Sequence, residues 1–279
     1  MEGSLKTDYL IPLLQGDKKA SFAFTESKSD SPTVADWDGD DLVVSGRKSY
    51  VSGGHLSDFM SVVLTVDSKK TTDKNGPAVV IVDSDSKGIE MGEPFYSLDG
   101  SSHVEVEFKS VKVDAKNVIG EIGQGIPRAL GNIIQERIEQ AATSVGLALY
   151  ALDVVTSHLK KPHRSGGTLS DLEGVRLRYS DMRINSFAAR SVLYRVGRLL
   201  DSGDEAINEV TTAKIFCTET ASSVVDTAVQ LVGGQALIKG HPLEEIYRKM
   251  RSMRIAGGAS DVLRLNLSKG VFEFDSGTV

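Results

Sequence analysis

The spacing of apolar residues changes once along this chain, and that change limits the fold more than any other feature. From Ser21 to Val113 they alternate in short runs: SFAF, LVVS, SVVLTV, AVVIVD, HVEVEF and VKV. After Gly125 they recur every three to four residues. A period of two places side chains on opposite faces of a strand, whereas a period of 3.6 stacks them on one face of a helix. The turn pairs Asp38-Gly39, Gly53-Gly54, Asn75-Gly76 and Asp99-Gly100 separate the alternating runs. Residues 16–117 therefore read as an antiparallel β-barrel or sandwich, and 118–279 as an antiparallel helical bundle, an α+β protein. In the first long helix, Leu130, Ile134, Ile138, Ala141, Val145, Leu149 and Leu152 share a face. A second helix covers about Leu169 to Leu200 and a third about Asp204 to Val232, with two short ones after them.

Near the carboxy terminus two double glycines, Gly233-Gly234 and Gly257-Gly258, punctuate the helical pattern. The first precedes a helix started by Pro242, and the second opens the last helix through Ala259-Ser260-Asp261. Glycine pairs ahead of helix N-termini allow backbone N–H groups close to a phosphate or carbonyl, which suggests a cofactor site. Two tight loops between core helices would look the same.

Composition excludes more than it identifies. A chain of 279 residues, 40% hydrophobic and 25% charged, can bury a full core and form two domains. A formal charge of -6 and the lack of a basic stripe argue against a nucleic-acid partner. The amino terminus, MEGSLKTDYL, has neither a signal-peptide core nor a transit-peptide composition, so no membrane span and a cytoplasmic location are expected. Cys217 is the single cysteine, which rules out an internal disulfide; on its helical pattern it reads as a packing thiol. His55, His103, His158, His163 and His241 show no ligand spacing, and no metal is expected.

Four motifs carry a resemblance: FAFTE at Phe22 to Glu26, WDGDDLVVSGRKSYVSGG at Trp37 to Gly54, NVIGEIGQG at Asn117 to Gly125, and VQLVGGQAL at Val229 to Leu237. In this order and spacing the chain resembles an acyl-CoA dehydrogenase over nearly its whole length. The resemblance implies a β-domain followed by a helical bundle, FAD as cofactor, and oxidation of an acyl-CoA between Cα and Cβ. It further implies that Thr25 meets the flavin pyrimidine edge, and that Tyr50 and Ser52 cover the isoalloxazine and its N5 side. Gln230, Gly233 and Gly234 would hold the ADP part of FAD across a subunit interface. Apart from the resemblance, Thr25 could simply end a strand and Tyr50 could be a half-buried strand aromatic.

The reaction needs a carboxylate to take the α-proton and donors for the enolate oxygen. Many family members place the base in Glu-Gly-Thr at the head of the last helix, where this chain has Gly257-Gly258-Ala259. In the branch resembling isovaleryl- and long-chain acyl-CoA dehydrogenases the base comes from the first bundle helix, in a Gln-Glu-Arg sequence. Here Gln135-Glu136-Arg137 occurs at that place. By resemblance Glu136 is the base, Arg137 orients a substrate phosphate or carboxylate, and the Gly257 N–H donates to the thioester carbonyl. Without the resemblance Glu136 and Arg137 are an exposed ion pair.

Three departures bear on partners. The acyl-CoA loop of the family is shortened to Thr25–Asp30, and its pyrophosphate-gripping Arg-x-x-Phe-Gly is replaced around 161–166, where Lys161 or Arg164 could substitute. Tyr9-Leu10-Ile11-Pro12 matches the end of the family's amino-terminal helical domain, making 1–15 a remnant. About a hundred family residues, one small domain, have no counterpart. A homo- or hetero-oligomer with a second acyl-CoA dehydrogenase-like chain is the expected outcome, as in heteromeric relatives that share FAD sites; a homotetramer with an open pocket and a shortened chain are the alternatives. Electron-transfer flavoprotein is the expected redox partner, and a non-catalytic structural subunit is the rival reading.

Overall fold

The computed structural model describes residues 3–26, 32–68, 75–164 and 166–274. The chain divides into two compact units, Met1–Asn132 and Ile133–Val279.

The first unit opens with helical pieces, α1 (Gly3–Leu5), a π-helical turn at Lys6–Leu10, and α2 (Ile11–Gln15). Eight strands follow: β1 (Ala20–Ala23), β2 (Val34–Asp38), β3 (Asp41–Ser52), β4 (Phe59–Val66), β5 (Gly76–Asp83), β6 (Ile89–Met91), β7 (Phe95–Tyr96) and β8 (Ser102–Asp114). They form one curled sheet in the order β1-β4-β2-β3-β8-β6, with β5 also on β4 and β7 on β8. Most pairings are antiparallel, but the all-antiparallel expectation needs correction. β1 pairs parallel to β4 from Ala20↔Phe59 to Ala23↔Val62, and β2 does so at Val34↔Thr65 and Ala35↔Val66. The two strands follow one another along a single edge of β4, so the segment between them cannot be a hairpin turn. Of the shortened loop expected there, Ser27 to Asp30 lie outside the described residues.

β4 and β5 are buried on both faces, which is why they read as near-continuous apolar runs. One face gives Met60, Val62, Leu64, Val66, Val80 and Val82 to the barrel interior. On the other, Phe59 and Ile81 pack under Leu5 and Tyr9 of the amino-terminal helical stretch. Tyr9 also donates its hydroxyl to Asp83 Oδ2 at 2.9 Å, and burial with that carboxylate pushes its pKa up to about 12. Residues 3–15 thus cover a sheet face.

The remaining helices are α3 (Gly125–Leu159), α4 (Glu173–Asp201), α5 (Ile207–Val232), α6 (Pro242–Met253) and α7 (Ser260–Phe274), with 3₁₀ turns at Leu169–Asp171 and Gly233–Leu237. Ala141 and Val145 near the middle of α3 cluster with Val196 of late α4 and Val210 of early α5. At the other end Val155 and Leu159 meet Met182 of early α4 and Val232 of late α5. The three helices therefore run up, down and up, closed at one end by Leu243, Ile246 and Met250 of α6. α3 is long and apolar enough to cross a membrane by length and composition, but its apolar stripe is engaged in these clusters. Cys217 is buried against the Ala189 carbonyl, and burial pushes its thiol pKa up to about 12, the environment of an inert packing thiol.

Val224, Val225, Ala228, Val229 and Val232 read from sequence as a second apolar face on α5, suited to a subunit interface; the structure buries all but Val229, which is half-buried, inside their own bundle. The exposed stripe lies on α4 instead, where Leu177, Ile184, Phe187 and Tyr194 are 53 to 73% exposed at spacings of seven, three and seven. A stripe of that length is costly in water. The chain should therefore be at least dimeric at micromolar concentration by light scattering, and Phe187→Glu should shift it toward smaller species. A monodisperse monomer for the unaltered chain would refute this.

Candidate functional site

In the first unit, the sequence candidates gather at the far end of β3. Thr25 follows β1, and its carbonyl accepts the Ser49 N–H at 2.8 Å, which brings FAFTE beside β3. The residue that fixes this arrangement is Lys48, not recognised from sequence because one lysine in a strand looks like an edge residue. Only 2% exposed, it donates to Phe24 O at 3.1 Å and to Glu26 Oε1 at 2.6 Å. Burial lowers the lysine pKa and Glu26 opposes it; burial raises that of Glu26, but bonds from Lys48 and the Thr33 N–H outweigh it and hold it below normal. A buried lysine requires a partner of this kind.

Tyr50 stands at a β-bulge. Between Lys48↔Val106 and Val51↔Val104, β3 advances three residues against two on β8, and Tyr50 takes the strain with φ 55°. A tyrosine at positive φ is a rare conformation, and such strain concentrates at functional sites. The bulge leaves the ring 65% exposed and edge-on to Phe95 at 5.4 Å. Ser52, also exposed, has its Oγ 3.0 Å from His103 Nδ1.

In the second unit, Glu136 is exposed on α3, and Gln140 Nε2 donates to its Oε1 at 2.8 Å. Arg137 points the other way, donating through Nε to Gly257 O at 3.0 Å and through Nη1 to Thr211 Oγ1 at 3.2 Å. Its contacts therefore hold the second glycine turn; a substrate phosphate or carboxylate was the sequence expectation. Beside it Lys214 of α5 has no exposed surface and donates to Gly258 O at 2.7 Å. Both turn residues lie in the left-handed region that favours glycine. Their φ values are 64° and 115°, and a Cβ would meet Gln140 Nε2 at 2.9 Å or Leu263 Cδ2 at 2.7 Å.

The first glycine pair caps α5, with Gly233 at φ 77° and Gln230 and Gly234 exposed. A cavity of about 380 Å³ opens there, lined by Tyr150, His158, Lys161, Val232, Gln235 and His241 among others. The His158 pKa is lowered by burial and by the neighbouring Lys161, His163 and His241, and Asp153 lines the same cavity. Of the two suggested arginine substitutes, Lys161 lines this cavity and Arg164 does not. Among the described residues no group of three or more His, Cys, Asp or Glu is placed to hold a metal.

A curled β-sheet unit followed by an up-down-up bundle, with glycine turns at the bundle ends, defines an acyl-CoA dehydrogenase-type flavoprotein fold. The middle-domain model of acyl-CoA dehydrogenase matches residues 21–111, and its C-terminal-domain model matches 123–272. The chain belongs to the acyl-CoA dehydrogenase family of FAD-binding oxidoreductases. It is 31% identical over 268 residues to the CarC subunit of the caffeyl-CoA reductase-Etf complex of Acetobacterium woodii, covering 93% of this chain and 70% of that one. To the short-chain specific acyl-CoA dehydrogenase of Clostridium acetobutylicum it is 29% identical over 274 residues, covering 96% and 72%. The structure of a probable acyl-CoA dehydrogenase from Mycobacterium abscessus superposes with a TM-score of 0.89 at 24% identity, over 97% of this chain and 73% of that one.

Burial lowers the Lys214 pKa from 10.5 to about 8, with Arg137 adding to the effect. The unfolded chain then binds the proton more tightly than the folded one, so folding stability must rise with pH between about 8 and 10.5. The full rise is on the order of 3 kcal/mol. Urea unfolding of the wild type and Lys214→Met from pH 7 to 10 should diverge, only the wild type gaining this increment. Parallel curves would show that Lys214 is not desolvated.

Proposed function

We propose that the protein is an FAD-dependent acyl-CoA dehydrogenase that desaturates an acyl-CoA thioester between Cα and Cβ, with Glu136 as the base. The observation that carries this is the Arg137 bond to Gly257 O. It ties the helix bearing the candidate base to the turn whose N–H is the candidate donor to the thioester carbonyl. Bound FAD supplies the acceptor for the β-hydride at its N5.

The roles of this chain's own residues follow from their placement. Glu136 removes the α-proton, held through Oε1 by Gln140. The Gly257 N–H stabilises the enolate oxygen, supported by the positive field of Arg137 and Lys214 behind the turn. Thr25, Tyr50 and Ser52 contact the flavin ring. Gln230, Gly233 and Gly234, with Lys161 and the cavity imidazoles, fit the dinucleotide phosphates. Some similar proteins are named as reductases, among them the 3-(aryl)acrylate reductase of Clostridium sporogenes at 28% identity. They support the same chemistry run in either direction. The CarC relative belongs to an Etf complex, which supports electron-transfer flavoprotein as partner. An oligomer in the cytoplasm, homomeric or with a second chain of this family, completes the proposal, and 16–117 and 118–279 remain the proposed domain limits.

Gly234 tests the cofactor cleanly. A Cβ there meets nothing within 4 Å and its φ is ordinary, so Gly234→Glu should fold normally. Purified wild type, alone or co-expressed with a partner, should be yellow and release FAD on denaturation, while Gly234→Glu should be colourless. Colourless wild type in both preparations would remove the flavin assignment.

For the base, Glu136→Gln keeps shape and hydrogen-bonding capacity. FAD content should stay constant while flavin reduction by a saturated acyl-CoA falls about a hundredfold or more. Reduction at the wild-type rate would eliminate Glu136. A flavin-loaded wild type reduced by no acyl-CoA would favour the non-catalytic subunit, the reading encouraged by the altered sequence at 161–166.

A further inference from the structure

His103 of β8 has no role in the functional reading above, yet its ring nitrogens bind on both sides. Nδ1 lies 3.0 Å from Ser52 Oγ; Nε2 lies 2.7 Å from Ser97 Oγ and 3.3 Å from Ser101 Oγ. The rings of Tyr50 and Phe95 stand at 6.4 and 5.6 Å and fix its plane. Ser101 decides the proton's position. Its hydroxyl donates to Asp99 Oδ1 at 2.7 Å, so toward His103 its oxygen can only accept. In the neutral ring Nε2 therefore carries the hydrogen, and Nδ1 accepts the hydrogen bond of the Ser52 hydroxyl.

The backbone makes this arrangement local and stiff. Ser97 and Ser101 lie in the β7–β8 turn, closed by Ser97 N–H to Ser101 O at 2.8 Å. Ser52 pairs with His103 directly in the β3–β8 register, just past the Tyr50 bulge. The Ser52 carbonyl in turn accepts from Ser21 Oγ at 3.0 Å. With its hydroxyl hydrogen directed at His103, Ser52 Oγ presents lone pairs to whatever stands before it.

We propose that His103 is a positioning residue: by accepting the hydrogen bond of the Ser52 hydroxyl it fixes Ser52 as a hydrogen-bond acceptor toward the flavin N5 position, and so favours the reduced flavin. This rests on the flavin assignment for Ser52. Reduced flavin carries an N5–H that an acceptor satisfies, whereas oxidised N5 is itself an acceptor and gains nothing. Removing the imidazole frees Ser52 to rotate and donate to the oxidised ring.

In His103→Ala, oxidised FAD should bind up to tenfold more tightly with reduced FAD unchanged, which lowers the two-electron midpoint potential by about 30 mV. Asn supplies an amide oxygen that can accept the hydrogen bond of the Ser52 hydroxyl, so His103→Asn should restore the wild-type potential. An unchanged potential in His103→Ala, loss of FAD from that variant, or an Asn variant that behaves like Ala each overturns the proposal while leaving the flavin reading intact. Imidazole ¹⁵N shifts in flavin-free wild type give an independent arm. Protonated Nε2 with bare Nδ1 supports the proposal, and the opposite tautomer overturns it. Wild type that binds no flavin overturns the flavin reading and this inference together.

Discussion

A half-buried arginine and a buried lysine behind two consecutive carbonyls set the architecture of the bundle end. Gly257 O takes Arg137 from α3, and Gly258 O takes Lys214 from α5, so the turn before α7 is fastened to two helices at once. Neither bond reaches a carboxylate. The cations are desolvated against neutral oxygens, which is why burial depresses both pKa values, and Arg137 lowers that of Lys214 further. Glu136 and Glu219 offset part of that field from a distance. The remaining bias is positive, concentrated at a turn of two positive-φ glycines. A site that must hold a developing enolate benefits from such a fixed field, because it is in place before the charge forms.

Glycine at 257 answers to backbone conformation, whereas at 258 a Cβ would also press on the buried Leu263. Gln140 approaches one residue and Leu263 the other. Gln140 also donates to Glu136, so it touches the turn and the candidate base together. A side chain at 257 would therefore disturb Glu136 through Gln140 even where the backbone could accept it.

How much of this the sequence revealed follows from what periodicity encodes. The helices from Gly125 onward were legible because each carries its apolar stripe through many turns, and the Pro242 start and the glycine turns fell where expected. β3, β4, β5 and β8 were legible as alternating or continuous runs, although β8 absorbed two of those runs into one strand. β2, β6 and β7 were not, being short and mostly at the sheet edge. The parallel pairings of β1 and β2 with β4 were invisible because periodicity states which face a residue takes and says nothing of strand direction. α5 misled for a related reason: a helix apolar on two faces looks the same whether its second face meets a neighbour in its own bundle or in another chain. The supporting charges at Lys48 and Lys214 were beyond reach too, since a lysine's burial depends on carbonyls distant in sequence.

Contact and support are divided consistently across the candidate residues. Thr25, Tyr50, Ser52, Glu136, Gln230 and Gly234 are all exposed, as groups that meet a ligand must be before it arrives. The groups that hold the first four lie deeper: Lys48 pins FAFTE, His103 orients Ser52, and Arg137 and Lys214 anchor the turn that Gln140 connects to Glu136. Exposed side chains lose conformational entropy when a ligand orders them, and prior fixation by buried neighbours reduces that loss. The strain at Tyr50 fits the same scheme. Its positive φ persists because β8, Phe95 and the Lys48 anchor determine the bulge on every side, which leaves an aromatic ring projecting from a rigid strand. Relaxing the bulge would return Tyr50 to the pleat and reverse the face of every residue beyond it, Ser52 included. The strained residue is thus what lets Ser52 meet His103.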